Sequence, residues 1–524
     1  MLVDNDRGQK VHKRLLDYFS YTAPWQRQLW RLGTILEMRE LLEANREQRR
    51  SVLSAEAVKW LSGSLVSKVK RDVGLGTPAE RGRLAGHVAR DLPPKSHDAY
   101  ALELLIERAE GPYLSNWATA MRGNSSLHAE VIARAVSSHM LDRGFSPSAL
   151  HKWFTYHEKS GDVMTMADLL ENAATLFLRP TVRYGVLVPL LAEVPATHNT
   201  GLHWLDPAQT SEWLREWFPA AEAIRQAGGL TWEIDARDLD SVTRIVAEEI
   251  QRISTRFRVG ARQNLQFANV VYIIGNDGPT KYAQRPRRVE VHALQSTSAI
   301  YELRISPELS SVLELLDPLD QGTPAAAIAG SWAAIEALFN GPGDREKISA
   351  SMRMARLVSC SYIRHEFTAL ANAYAHEHSD ALATSIRTAS DNIEKARLFE
   401  DAIRGGTNAA FGSTRHTMAM ERAQRLVANP AEILLNIVGQ LDAAFRRLYR
   451  QRNIIVHGGD VTSIALPGTL RTVAPLVGAG VDRVVHASAT RNASPLELAA
   501  LAEVRHGSVA DGKCRLVDLL DSPI

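Results

Sequence analysis

The sequence predicts a mainly α-helical protein with a central α+β domain. Two long regions, one at each end of the chain, place apolar residues at helical spacing between Gly and Pro breakers. The region between them carries short apolar runs bounded by Gly, Pro, Asn or Asp, a pattern typical of strands. These changes of pattern predict three domains, at residues 1–178, 179–324 and 325–524.

The composition is that of a globular chain with enough apolar residues for sizeable cores. The 524 residues are 45% hydrophobic, and 61 Lys and Arg residues nearly balance 59 Asp and Glu residues, for a formal net charge of +2. This balance does not by itself indicate a nucleic-acid binder, so any basic surface must be local.

Neither secretion nor membrane spanning is indicated. Cys360 and Cys514 have neither the spacing of a disulfide framework nor that of a zinc site. The N-terminus has acids where a signal peptide needs a basic segment, and the best apolar run, residues 186–194, contains Pro189 and Glu193. We therefore expect a cytoplasmic protein.

The first domain is predicted to be helical. Residues 15–44 and 55–73 show helical patterning, and breakers such as Gly74 to Pro78 separate the predicted helices. Several tryptophans lie among apolar neighbours and are predicted core residues: Trp25, Trp30, Trp60 and Trp117.

The second domain is predicted to combine a small sheet with a helix. The helix is predicted from Asp238 to Arg256, because apolar residues recur on one of its faces. Five apolar runs are predicted strands: residues 186–191, 230–234, 270–274, 289–294 and 299–305. Such a combination predicts a small α+β layer.

The third domain is predicted to be a helical bundle with a C-terminal tail from Gly507. Its longest helix is predicted from Asn429 to Gly459, because Asn429 can cap the first turn, Pro430 suits the first helical position and Gly458-Gly459 can end the helix. One stripe of this helix is predicted to face the core: Ile433, Ile437, Leu441, Leu448 and Ile455.

The last turns of this helix carry the motif Arg452-Asn453-Ile454-Ile455-Val456-His457. The bare Arg-x4-His spacing is a weak signal, since the chain also has it at Arg7/His12, Arg134/His139 and Arg287/His292. Only the last copy has Asn after the arginine, then three aliphatic residues, then His and Gly at the end of a long helix. This context makes the motif specific.

On these residues the C-terminal domain resembles the HEPN superfamily (higher eukaryotes and prokaryotes nucleotide-binding), and within it the Apea-like branch. Ribonuclease members carry Arg-polar-x3-His on the closing part of a long helix. The resemblance covers residues 325–505, including residues 331–339 and the helix that Asp344 is predicted to cap. It implies an all-α HEPN bundle that forms a homodimer with a composite site; residues 1–324 resemble only the large variable region of such proteins.

The motif suits a reaction in which a 2′-hydroxyl of the RNA attacks the neighbouring phosphate. This reaction requires proton transfers and relief of charge on the phosphate. We expect His457 to act as general acid or base, Arg452 to hold the scissile phosphate, and Asn453 to position the hydroxyl or the imidazole. Residues five apart differ by about 140° around a helix and about 7.5 Å along it, so Arg452 and His457 are expected to flank a cleft. No metal or other cofactor is expected.

Three further residues complete the predicted site. Arg446 and Arg450, from an arginine-rich helix end, are expected to guide the RNA backbone and to add salt-dependent affinity. Glu336 matches the position where this branch carries an inward-facing acid. A role in orienting Arg452 or His457 and a simple exposed or paired glutamate are both open.

The resemblance implies a metal-independent endoribonuclease that acts in bacterial anti-phage defence by abortive infection. A tRNA or mRNA would be its substrate, a phage product its trigger, and the N-terminal regions its control. Two other interpretations stay open. The protein can be a non-catalytic HEPN component that binds nucleotide, RNA or a partner in a defence or toxin-antitoxin system. Alternatively, Arg452 pairs with an acid and His457 only caps the helix.

Overall fold

The computed structural model describes residues 4–123, 127–160, 164–194, 203–220, 224–282, 286–302, 305–509 and 514–521. Within these ranges the protein has 21 α-helices and one antiparallel sheet of five strands, and it is 69% helical. The predicted fold class, mainly α with an α+β region, is confirmed. Among the described helices, none combines the length and apolar character that a membrane crossing requires.

The N-terminal part of the chain is helical, as predicted. Several helices begin at a residue that caps them; Ser54, for example, accepts a hydrogen bond from the Ala57 N–H. Trp25, Trp30 and Trp117 are buried as predicted. The helices are α1 (Asp6–Phe19), α2 (Thr34–Arg49), α3 (Ala55–Arg71), α4 (Pro78–Val88), α5 (His97–Glu110), α6 (Tyr113–Arg122), α7 (Ala129–Asp142), α8 (Pro147–Lys159) and α9 (Met166–Leu178).

The sheet has the strand order β2-β3-β1-β4-β5, and all of its neighbours run antiparallel. Val186 of the central strand pairs with Trp232 on one side and with Ile273 on the other. The elements are β1 (Val182–Pro189), β2 (Trp204–Leu205), α10 (Pro207–Trp217), β3 (Gly229–Ala236), α11 (Leu239–Gly260), β4 (Val270–Ile273) and β5 (Thr280–Lys281). The apolar face of α11 packs in the same core as these strands, through Val242, Val246 and Ile250.

The predicted strands at residues 289–294 and 299–305 are wrong. The first segment leads into a short helix, α12 (Ala293–Ser296), and the second contains a 3-10 turn, although residues 303–304 lie outside the described residues. Val289, Val291 and Leu294 pack against the large helical core, and the Ala293 N–H donates to Oδ1 of Asp482 at 2.7 Å. Their apolar side chains therefore meet helices, and not a neighbouring strand.

The C-terminal part is a helical bundle around one long helix, α19, which contacts α14, α15, α18 and α20. Its core contains fully buried aromatic side chains such as Trp332, Phe367 and Phe445. The helices are α13 (Pro307–Gln321), α14 (Pro324–Phe339), α15 (Ser349–Glu377), α16 (Ala381–Thr388), α17 (Asn392–Arg404), α18 (Thr414–Ala428), α19 (Pro430–Gly458), α20 (Leu466–Arg491) and α21 (Pro495–Ser508).

Helix α19 matches the prediction almost residue for residue. Pro430 occupies its first position, and the predicted stripe is buried or partly buried in the bundle core. Gly459 ends the helix with a φ of 69°, a left-handed conformation that favours glycine. The predicted cap is wrong, however, because the Asn429 side chain makes no capping hydrogen bond.

The predicted C-terminal tail is also wrong where the structure describes it, at residues 514–521. Leu516, Val517, Leu519 and Leu520 are buried in the bundle core. Asp521 pairs with Arg364 at 2.8 Å.

Contacts divide the chain into two compact units. The helical unit contains residues 1–142, 154–174 and 287–524, and the sheet unit contains residues 143–153 and 175–286. The helical unit therefore holds both the C-terminal bundle and most of the N-terminal helices.

Candidate functional site

The motif occupies the last turns of α19, where the helix passes from the core to the surface. Asn453 and Ile454 are buried, whereas Val456 and His457 are exposed and Arg452 is half-buried. The buried pair fixes the helix against the bundle, so the guanidinium and the imidazole are presented at the surface from a rigid base.

Arg452 contacts both other polar side chains of the motif. Its Nη1 lies 2.7 Å from Nε2 of His457 and 3.0 Å from Oδ1 of Asn453. The two side chains therefore meet on one helix, a contact that the sequence did not predict, and the expected cleft between them stays a prediction. Their Cα atoms do diverge around the helix, but the long arginine side chain spans that angle.

The chemistry of the pair fixes where the imidazole proton lies. A guanidinium has only donors, so Nε2 of His457 must accept in this contact and the ring proton lies on Nδ1. Among the described residues, no partner binds Nε or Nη2 of Arg452, or Nδ1 of His457. The site thus offers two free guanidinium nitrogens beside an imidazole.

The predicted RNA-binding residue Arg446 is partly exposed but already has two partners. Its Nε lies 2.6 Å from Oδ2 of Asp442, and its guanidinium lies 4.9 Å from the centre of the Trp60 ring. A cation stacked on an indole keeps its outer face open. RNA binding by Arg446 stays a prediction.

Arg450, the other predicted RNA-binding residue, is buried and its side chain is only 3% exposed. Its Nη2 lies 2.6 Å from Oε1 of Glu40 on α2. Neighbouring Arg447 is equally buried and bonds Glu37 at 2.6 Å and Glu40 at 3.1 Å. These guanidiniums cannot reach an RNA phosphate, so the predicted role of Arg450 does not hold in this structure.

The acids of α2 are held in their charged form by these contacts. Burial opposes the ionisation of Glu40, but Arg450 and Arg447 outweigh it and lower the pKa of that carboxyl. Burial is likewise outweighed at Glu37, whose pKa is lowered by Lys68 and Arg447. The result is a buried ionic cluster between α2 and α19.

Glu336 lies on α14 and pairs with Lys347, which matches the second of the two roles left open for it, a paired glutamate. Its Oε1 is 2.6 Å from Nζ of Lys347. Among the described residues, no hydrogen bond or ion pair joins it to Arg452 or His457. The structure thus brings Arg452, Asn453 and His457 together and leaves Glu336 as a paired surface acid.

Sequence reasoning missed the C-terminal end of α2, which lies against the end of α19. Arg50 Nη2 is 3.4 Å from the carbonyl oxygen of Gly458, although the two residues are 408 positions apart. Arg46 Nη2 is 3.8 Å from Oδ2 of Asp460. The only local signal was the basic stretch Asn45 to Arg50, which has no motif of its own.

A second close pair of reactive residues lies in the core. Sγ of Cys360 is 3.3 Å from Nε2 of His506. Burial raises the pKa of the Cys360 thiol to about 12 and lowers the pKa of His506 to about 4. Both groups are therefore neutral near pH 7, unlike the thiolate that a cysteine nucleophile requires.

The sheet unit holds an open pocket of about 320 Å³. Among the described residues, no hydrogen bond or ion pair joins its ionisable groups, so it has no paired acid and base. The pocket is lined mainly by Trp204, Trp232, Phe257, His203, Glu249 and Arg256.

Within the described residues, no group of three His, Cys, Asp or Glu side chains is placed to hold a metal ion. No protein-family model, curated protein or solved structure matches the chain. The residues of the chain itself therefore carry any functional inference.

Proposed function

We propose that the protein is a metal-independent endoribonuclease of the HEPN type. The observation that carries this proposal is the contact of Arg452 with both His457 and Asn453 at an exposed helix end. A guanidinium with unused donors and an adjacent imidazole are the groups that 2′-hydroxyl attack on a phosphodiester requires. No metal is needed, because side chains supply both proton transfer and charge relief.

In the proposed reaction, Nε and Nη2 of Arg452 bind the non-bridging oxygens of the scissile phosphate. This contact draws the guanidinium toward the phosphate and frees Nε2 of His457. The imidazole then accepts the 2′-hydroxyl proton while the 2′-oxygen forms a bond to phosphorus. The bond to the 5′-oxygen breaks, and the products are a 2′,3′-cyclic phosphate and a 5′-hydroxyl.

The leaving 5′-oxygen needs a proton, and we propose that the His457 imidazole of a second protomer, in its protonated imidazolium form, donates it. The surface beside His457 supports a homodimer, since Val456, Val461 and Ile464 are all exposed there. Apolar residues exposed together around an ionisable site suit a protein interface. A composite site would thus combine two imidazoles across one groove.

The interpretation in which Arg452 only pairs with an acid has little support. If Arg452 served only to pair with an acid, a carboxylate should contact it, but its partners among the described residues are Asn453 and His457.

The buried ion pairs between α2 and α19 support control of the nuclease by the N-terminal helices. The substrate class, tRNA or mRNA, and a role in abortive infection triggered by a phage product follow from the HEPN resemblance alone.

The proposal is tested with labelled RNA in excess EDTA. The full chain should cleave it and leave cyclic-phosphate ends, and both His457→Ala and Arg452→Ala should abolish cleavage while folding is retained. Matched controls are His97→Ala and Arg108→Ala, whose side chains are 94% and 75% exposed. Cleavage that persists in His457→Ala, or that EDTA stops, would contradict the proposal. RNA that is bound and never cut favours the non-catalytic alternative.

A further inference from the structure

The ends of α2 and α19 form one continuous surface around the motif. Besides the contact of Arg50 with the Gly458 carbonyl, Oγ of Ser463 lies 2.6 Å from Oε2 of Glu43. These contacts join the last turns of α2 to the end of α19 and to the loop that follows it. The C-terminal end of α2 therefore lies beside the end of the helix that carries His457.

Two arginines at the C-terminal end of α2 are presented outward at this surface: Arg46 in its last turn and Arg50 directly after it. The side chains of Arg46 and Arg50 are 50% and 52% exposed, whereas Glu47, which binds both, is fully buried. Arg46 Nε and Arg50 Nη1 each lie 3.0 Å from a Glu47 oxygen. One acid behind the surface thus orients two guanidiniums that face solvent.

The acids near these arginines are less exposed than the guanidiniums are. Glu43 lies 3.6 Å from Arg46, but its side chain is only 9% exposed. Asp460 is partly exposed, and its Oδ1 accepts hydrogen bonds from the backbone N–H and the hydroxyl of Thr462. Among the described residues, Arg50 forms no ion pair with Asp460, so it has fewer acidic partners than Arg46 has.

We propose that Arg50, assisted by Arg46, binds an RNA phosphate next to the scissile one. This inference rests on the proposed nuclease function and assigns α2 a part in its substrate site. A half-exposed guanidinium fixed by a buried carboxylate suits a phosphate, because its remaining donors keep a defined direction. Phosphate contacts of this kind position the RNA and select no sequence.

It follows that the RNA site is incomplete without the N-terminal helices. Arg450, one of the two α19 arginines predicted to bind RNA, is instead paired with Glu40, and its neighbour Arg447 is paired with Glu37 and Glu40. In the core, acids of α2 therefore neutralise arginines of α19. At the surface, arginines at the end of α2 present positive charge.

The test measures RNA affinity against salt concentration. A fluorescein-labelled single-stranded oligoribonucleotide binds the full chain in EDTA, with His457→Ala as the background so that the RNA stays intact. Each lost phosphate contact should make the slope of log K against log salt shallower by about 0.7. Arg50→Ala and Arg46→Ala should show this change, and Arg50→Lys should keep the wild-type slope.

Arg49→Ala is the matched control, because Arg49 is 50% exposed on the same helix but pairs with Asp91. Equal slopes for the Arg49, Arg46 and Arg50 alanine variants would overturn the inference, as would an absence of RNA binding. If the wild type cleaves RNA yet Arg50→Ala behaves like Arg49→Ala, the subsite fails and the nuclease stands. If the wild type never cleaves but the slopes differ as expected, the subsite stands and the nuclease fails.

Discussion

Nη1 of Arg452 lies 2.7 Å from Nε2 of His457, and the same nitrogen bonds Asn453, so one atom joins all three polar residues of the motif. The contact uses the imidazole lone pair that a general base needs. Substrate must therefore displace the guanidinium before the imidazole can act. A phosphate is suited to do so, because it binds guanidinium more strongly than a neutral imidazole does.

Arg452→Lys should lower the rate of RNA cleavage although it keeps the positive charge. Lysine presents a point charge and lacks the fork that binds two phosphate oxygens. We expect kcat to fall by about 10²-fold, the scale of losing one stabilising donor in a transition state. Single-turnover kinetics measure this. A lysine variant that cleaves at the wild-type rate would exclude the bidentate role.

Val461→Asp should dissociate the proposed homodimer and abolish cleavage. Val461 is 53% exposed two residues after Gly459, and a carboxylate placed there would be desolvated in an interface. Val504→Asp is the control, because Val504 is 51% exposed on α21. Analytical ultracentrifugation should show monomers for the first variant only. Equal masses and equal activities for both variants would argue against a dimer through this surface.

Glu40→Gln should destabilise the protein strongly. Glu40 is the partner of both Arg447 and Arg450. Glutamine in its place removes the negative charge that these two buried guanidiniums share. Breaking a buried ion pair costs about 3–5 kcal/mol. Asp91→Asn breaks an exposed pair with Arg49 and should cost less than about 1 kcal/mol. Urea denaturation compares them, and similar losses would show that the buried cluster contributes little.

The destabilisation by Glu40→Gln should shrink in acid. The pKa of Glu40 is lowered in the folded protein, because Arg450 and Arg447 outweigh the effect of burial, so the unfolded chain binds more protons at low pH. Its contribution is complete above the unfolded value of 4.5 and is lost as pH falls through the lower folded value. Thermal melts of both proteins from pH 7 to acid test this. A constant difference in Tm would contradict it.

Two glycine substitutions in and after α19 should have opposite signs. Gly459→Ala forces alanine into a left-handed conformation at a φ of 69°, which costs about 1–2 kcal/mol, and it should also disturb His457 and slow cleavage. Gly439→Ala lies in the helix interior, where an added Cβ meets nothing within 4 Å, and should stabilise by about 0.5–1 kcal/mol. Melting temperatures that move in the same direction would refute the assignment of Gly459.

The sequence predicted what local spacing determines. The bounds and the buried stripe of α19, and the strands β1, β3 and β4, follow from periodicity and terminal residues. Arg450 was misassigned because its partner, Glu40, lies 410 positions away, on α2. Local patterns also placed strands at residues 289–305, where apolar side chains instead pack on helices. The contact between Arg452 and His457 was not predicted, because helix geometry gives the angle between the two Cα atoms but not the length of the arginine side chain.

The most direct measurement compares cleavage of an RNA oligonucleotide with that of the same sequence carrying a 2′-deoxy sugar at the cut position, in EDTA. We predict that the wild type cuts only the all-RNA strand and leaves a 2′,3′-cyclic phosphate, and that His457→Ala loses this activity. Cleavage of the 2′-deoxy strand, or equal rates for wild type and His457→Ala, would contradict it.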